Sequence, residues 1–178
     1  MARLTILSYP DPRLKQVSEP VEHFGEELRR FVRDLEETRL AGPAAVGIAA
    51  PQVGCLQRIV IVDCSMTRRP VENHGQLILV NPEICEWQGS AAGREGCLSV
   101  PDYTGNVIRA DWIRLRACNE HGQPLEFEMR GFEARAVQHE IDHLEGLLFL
   151  DRLVSRRSDL FRRKEPANTA AQRATEPK

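Results

Sequence analysis

The 178-residue chain has no stretch approaching the roughly 18–20 consecutive apolar residues that a membrane-spanning helix needs. At the N-terminus there is only a short apolar patch, Leu4 to Leu7, with Pro10 and Pro12 close behind it. That patch is too short for a secretory signal, and no small-residue cleavage site comes after it, so a cytoplasmic location is the expectation. A large excess of either charge is also missing. The net charge is −2, so no global field draws the protein toward nucleic acid or acidic lipid. The sequence holds no Cys-x-x-Cys pair. Its five cysteines, Cys55, Cys64, Cys85, Cys97 and Cys118, are odd in number, which argues against a disulfide framework. Four of them sit in or beside strand-like apolar runs and are expected as small buried hydrophobes. Cys97 has a different setting. There is no internal repeat and no sign of a second domain.

With 42% apolar and 28% charged residues, the composition is that of a globular protein with a real core. One domain over residues 1–165 is expected. Residues 166–178, rich in Ala, Thr, Pro, Gln and Glu, read as a disordered tail.

Residues 1–24 carry Pro10, Pro12 and Pro20 and read as an extended arm over the surface. Leu28, Phe31, Val32 and Leu35 recur at three- and four-residue spacing, which predicts a helix from Glu26 to Leu40 ending at Gly42-Pro43. Ala44 to Gly54 reads as a small-residue loop. Arg58 to Asp63 is a β-branched run typical of a buried strand. Residues 64–75 read as a mobile connection. Gln76–Val80 and Ile84–Trp87 are expected as two strands separated by Asn81-Pro82. Trp112–Cys118 and Leu125–Met129 are expected as a hairpin. A second helix is predicted from Phe132 to Glu145, stopped by Gly146. Helix, antiparallel strands, then helix argues for an α+β fold: short antiparallel strands around a central C-terminal helix, with an N-terminal helix and a short basic C-terminal segment.

The second helix carries His139-Glu140-Ile141-Asp142-His143. Four residues apart at about 100° per residue, the two histidines share one face and can fill two corners of a metal's coordination shell. Glu140 can reach an open position on that metal without being a ligand. Val137, Ile141 and Leu144 fall on the opposite side and suit the core. A short pattern of this kind also arises by chance, and paired histidines can be ordinary satisfied polar groups. The third ligand separates the chemical classes. A protease-like site needs one downstream, where Glu145, Asp151, Asp159, Glu165 and Glu176 are available but unmarked. Upstream, Cys97 follows Gly96 in Glu95-Gly96-Cys97-Leu98-Ser99. A thiolate suits Zn²⁺, Fe²⁺ or Ni²⁺, and a Cys-His-His set leaves a fourth position open, as catalytic sites do.

Three separated stretches, Val46-Gly47-Ile48-Ala49-Ala50-Pro51-Gln52, Glu95 to Ser99, and Gln138 to His143, together resemble the signature motifs of peptide deformylases in their order and separations. The resemblance runs from about Tyr9 to Arg152. It implies a metal-dependent hydrolase that removes the N-terminal formyl group from formyl-methionine of new polypeptides. It further implies Cys97, His139 and His143 as metal ligands and Glu140 as proton carrier. The Gln52 side chain and the Leu98 backbone N–H would be oxyanion donors. Val46, Gly47 and Gly96 would stand on the substrate side, where Glu95 and Arg109 form a pair that braces the site. Fe²⁺ is the metal implied, with Zn²⁺ or Ni²⁺ as substitutes. Two positions depart from the usual pattern: Ala45 replaces a glycine that opens the first motif, and Asp102 stands where many relatives have glycine. Arg156, Arg157, Arg162, Arg163 and Lys164 form a basic cluster. By resemblance it would contact the ribosome; by itself it reads as a solvated charge run.

Overall fold

The computed structural model describes residues 2–164; the tail expected at 166–178 lies outside them. Helix α1 spans Glu26–Ala41 and α2 spans Gly131–Leu144. The strands are β1 Gly47–Ala49, β2 Ile59–Asp63, β3 Gln76–Gln88, β4 Ala91–Cys97, β5 Val100–Arg109, β6 Trp112–Cys118, β7 Pro124–Arg130 and β8 Leu160–Arg162. They form two antiparallel sheets, of five strands in the order β1-β2-β3-β6-β7 and of three in the order β4-β5-β8.

The β-branched run of β2 explains the layering. Val60 and Val62 join Ala134, Val137 and Leu144 of α2 in one core, while Ile59 and Ile61 join Leu28, Val32 and Leu35 of α1 in another. Successive residues of a strand face opposite sides. A strand buried on both faces therefore loses the usual alternation and reads as one continuous apolar run. A third, smaller core under the three-stranded sheet holds Val100, Val107, Leu148 and Phe149 with Cys97.

Several expectations need correction. The N-terminal arm runs over the surface with most residues exposed, but it is not wholly extended, since Pro12–Lys15 forms a short helical turn, and Leu7, Leu14 and Val21 are buried anchors. The 44–54 loop contains β1, which pairs Gly47 with Val62 and Ala49 with Val60. The two strands proposed around Asn81-Pro82 are one strand, β3, with a register shift between Val80 and Glu83. Not all the strands are short, since β3 has 13 residues and β5 has 10. Of the four cysteines expected to be buried, only Cys64 is; Cys55, Cys85 and Cys118 are half-buried. The basic C-terminal segment supplies β8, which pairs with β5.

Candidate metal centre and cleft

Helix α2 presents its apolar side, Val137, Ile141 and Leu144, to the five-stranded sheet. Its other side carries His139, Glu140 and His143, all buried. β4 delivers Cys97 opposite them. One ligand atom from each of Cys97, His139 and His143 lies within 4.8 Å of the others, and Cys97 Sγ stands 3.3 Å from His143 Nε2. Donors held at roughly 2.0–2.3 Å around one ion stand about 3–4 Å apart, so these residues fit a single metal. A soft sulfur with two imidazoles is a donor set for Fe²⁺, Ni²⁺ or Zn²⁺.

The charges around the donors support that fit. Burial, and then the charge on His139, hold the His143 pKa well below the ordinary value, so this ring is neutral with a lone pair to give. Burial also opposes a charge on His139, but the Cys97 sulfur and the Glu95 carboxylate prevail and raise its pKa well above normal. Positive charge is thus favoured at this point. His139 Nδ1 faces Glu95 Oε2 at 2.8 Å, which orients the ring.

Glu95 is the hub of the bracing. Arg109 grips it through Nε (2.7 Å) and Nη2 (2.9 Å), and Arg135 Nη1 adds a third contact at 2.9 Å. Burial pushes the Glu95 carboxyl up, but Arg109 and His139 outweigh it and hold it far below the usual carboxylate range. Arg109 also bonds Asp142 at 2.7 Å, and Arg152 clamps the same carboxylate from outside. Stranding one partner of such a buried pair typically costs about 3–5 kcal/mol.

Glu140 differs. Its Oε2 is buried with no hydrogen-bond partner among the described residues. Burial pushes its pKa up to about 7, against the lowering pull of His139. A carboxyl poised near neutrality can both take and return a proton.

Gln52, the side-chain donor that the resemblance implies, is buried. Its Oε1 accepts from the Ala49 N–H at 2.9 Å, which ties the side chain to its own loop. Its Nε2 is thereby turned toward Cys97 Sγ at 3.5 Å and Ser99 Oγ at 3.1 Å. Leu98 occupies the turn between β4 and β5, and Val46, Gly47, Gly96 and Leu98 line a cleft that reaches His139 and Glu140. Arg109 is buried beneath the site.

Of the downstream carboxylates, Glu165 and Glu176 lie outside the described residues, and the other three are engaged elsewhere: Glu145 bonds Arg58 at 2.6 Å, Asp151 pairs with Lys15, and Asp159 accepts from the Ser155 N–H at 3.0 Å. Arg135, Asp142 and Ser99 are site residues that sequence reasoning missed. For Arg135 there was a signal, since it precedes His139 by four residues and shares its helix face.

The chain is similar to several known proteins. The family model described as polypeptide deformylase matches residues 3–159. A peptide deformylase of Alkalilimnicola ehrlichii is 45% identical over 92% of this chain and 89% of its own length. Peptide deformylase 1 of Bacillus subtilis is 42% identical over 86% of this chain and 91% of its own. Among solved structures, the peptide deformylase of Thermotoga maritima superposes with a TM-score of 0.80 at 34% identity, covering 87% of this chain and all of that one. The Acinetobacter baumannii enzyme bound to Met-Ala-Ser also gives 0.80, at 36% identity, covering 85% of this chain and 99% of that one.

Proposed function

The chain belongs to the peptide deformylase family, hydrolases that remove the N-terminal formyl group of nascent peptides, and we propose how its own residues perform that reaction on formyl-methionyl polypeptides. The observation that carries the reading is the meeting of Cys97, His139 and His143 within 4.8 Å at a cleft that Glu140 also lines.

The three residues hold one divalent metal, Fe²⁺ natively, with Zn²⁺ or Ni²⁺ able to replace it; the sulfur–imidazole donor set supports this choice. When bound, the metal acidifies water toward neutrality and polarises the formyl oxygen. β1 and β4 each form an open edge of their sheet. A peptide lying between them can pair its backbone with Val46, Gly47 and Gly96 as an added strand. Its first side chain then enters the cleft toward Phe132 and Ala136. Glu140 takes a proton from the attacking water and returns it to the departing amine. The Gln52 Nε2 and Leu98 N–H donate to the oxyanion that develops on the formyl oxygen as its carbon is attacked, where one lost donor costs about 3–4 kcal/mol of transition-state stabilisation. Glu95 and Arg109 brace His139 from below.

Formylated chains arise at the ribosome, which places the enzyme's work in the cytoplasm. Among the described residues no helix is long and apolar enough to cross a membrane. Ribosome contact through the basic segment is a lesser proposal, supported only by its charge. Unchanged co-sedimentation with ribosomes after Arg156 and Arg157 are both replaced by Glu removes it.

The test is formate release from formyl-Met-Ala-Ser by anaerobically Fe²⁺-loaded protein. Wild type is expected to turn over, and Glu140→Ala to bind the metal normally while losing on the order of 10²–10⁴ in kcat. Equal rates in the two proteins would overturn the assignment of Glu140.

A further inference from the structure

The outer face of the three-stranded sheet carries a feature the reaction does not use. β4, β5 and β8 bring Gly96, Thr104 and Phe161 into one cross-strand row. Two residues beyond Phe161, on the same face, stands Arg163. Its backbone N–H bonds Asp102 O at 2.8 Å. Its side chain reaches back across the sheet, and a methyl group built on Gly96 would stand 2.2 Å from Arg163 Nη2. The guanidinium thus occupies the space that glycine leaves, at the rim of the metal-bearing cleft, which it lines together with Arg94. It also lines the adjoining hollow formed by Arg3, Leu4, Ile6 and Pro101.

The rim charge is not neutralised among the described residues. Arg163 forms no ion pair there. Arg94 bonds only the neutral Asn106 and Thr104 and lies 3.5 Å over the Phe161 ring. Arg135, the third arginine of the cleft, is already committed to Glu95 and to the carbonyls of Val107 and Ala91. The two arginines at the mouth therefore offer uncompensated guanidinium groups beside the β4 edge, along which an extended peptide would leave.

We propose that Arg163, assisted by Arg94, is a specificity residue that binds a carboxylate on the peptide one or two residues beyond the one held in the cleft. This rests on the deformylase reading. The guanidinium presents N–H donors in a planar fork that matches a carboxylate. Its exposure limits the effect to that of a surface ion pair, roughly threefold to fivefold in rate constant, screened by salt.

The experiment measures kcat/KM for formate release by the metal-loaded full chain at low ionic strength. C-terminally amidated formyl-Met-Ala-Glu and formyl-Met-Glu-Ala are compared with their lysine counterparts. A second arm uses formyl-Met-Ala with a free or an amidated C-terminus, which separates side-chain from terminal carboxylates. Wild type is expected to favour the carboxylate-bearing peptide of at least one arm threefold to fivefold, mainly through KM. The preference should disappear in Arg163→Ala, reverse in Arg163→Glu and shrink in 0.5 M salt. A preference that survives both variants overturns the proposal, as does wild-type turnover blind to charge in both arms. Absence of formate release from every peptide instead defeats the deformylase reading beneath it.

Discussion

A methyl group built on Gly47 would stand 2.5 Å from Glu140 Oε1 and 2.8 Å from two carbons of the same side chain. Glu140 therefore owes its place to a missing side chain on β1, far from it in sequence. The residue scale is where the sequence was most informative, because a metal needs specific atoms and only a few side chains carry them. His139, His143 and Glu140 stand out by type and spacing, and Cys97 by its soft sulfur and the resemblance of its motif. What spacing conceals is clearance: nothing in Val46-Gly47-Ile48 says that the glycine faces a carboxylate. Gly47→Ala is accordingly expected to retain metal and stability, because its φ is not in the left-handed region and alanine is tolerated in a strand. Its kcat should fall roughly 10- to 100-fold, less than the 10²–10⁴ lost when a positioned proton carrier is removed altogether. Metal analysis, a urea midpoint and steady-state rates measure the three quantities. An unchanged kcat would mean that Glu140 shifts freely and that its position is not critical.

At the scale of elements, the sequence revealed those whose burial follows hydrophobicity and hid those whose burial does not. α1, β2, β6, β7 and α2 were legible within a residue or two. β4 was not: Ala91-Ala-Gly-Arg-Glu-Gly-Cys97 buries Glu95 and Cys97, a polar pair whose inward position is set by Arg109 and the metal centre rather than by hydrophobicity. Asn81-Pro82 looked like a break because proline lacks an N–H and asparagine favours turns. In the fold Asn81 takes φ 52 and bonds both the N–H and the carbonyl of Val21. The irregularity becomes a bulge within one long strand and fastens the N-terminal arm.

A second fastening of that arm is Asp151. Its carboxylate pairs with Lys15 and accepts from the Leu148 N–H at 2.8 Å, holding the short helical turn Phe149–Asp151. Burial pushes its pKa up, but Lys15 and the Leu148 N–H outweigh that and lower it below the ordinary value. A carboxyl depressed in the folded state stabilises above its unfolded pKa of about 3.9 and loses that contribution as pH falls through its folded value. Asp151→Asn should therefore be less stable than wild type at pH 6, by no more than about 1 kcal/mol for a part-exposed pair. The gap should close below about pH 4. Urea midpoints across this range decide it; a gap independent of pH would assign the loss to geometry instead of charge.

Over the whole molecule, the metal centre is also a joint. Cys97 belongs to the three-stranded sheet, whereas His139 and His143 ride on α2, which packs on the five-stranded sheet. The small third core of Val100, Val107, Leu148 and Phe149 stays on the side of the three-stranded sheet; the halves meet where Phe149 stacks on His139 of α2 and through Glu95–Arg109–Asp142. An ion held by ligands from both halves stabilises the folded state by mass action, about 4 kcal/mol at a thousandfold excess over its Kd. The gain falls on the joint rather than evenly over the chain. Chelation is therefore expected to lower Tm and to raise amide hydrogen exchange in residues 91–109 well before residues 112–130, whose strands β6 and β7 pair with each other and need no metal. Returning the ion should restore both readings in wild type and neither in Cys97→Ser. Exchange that rises uniformly along the chain, or first in β6 and β7, would show that the centre serves the chemistry without joining the two sheets.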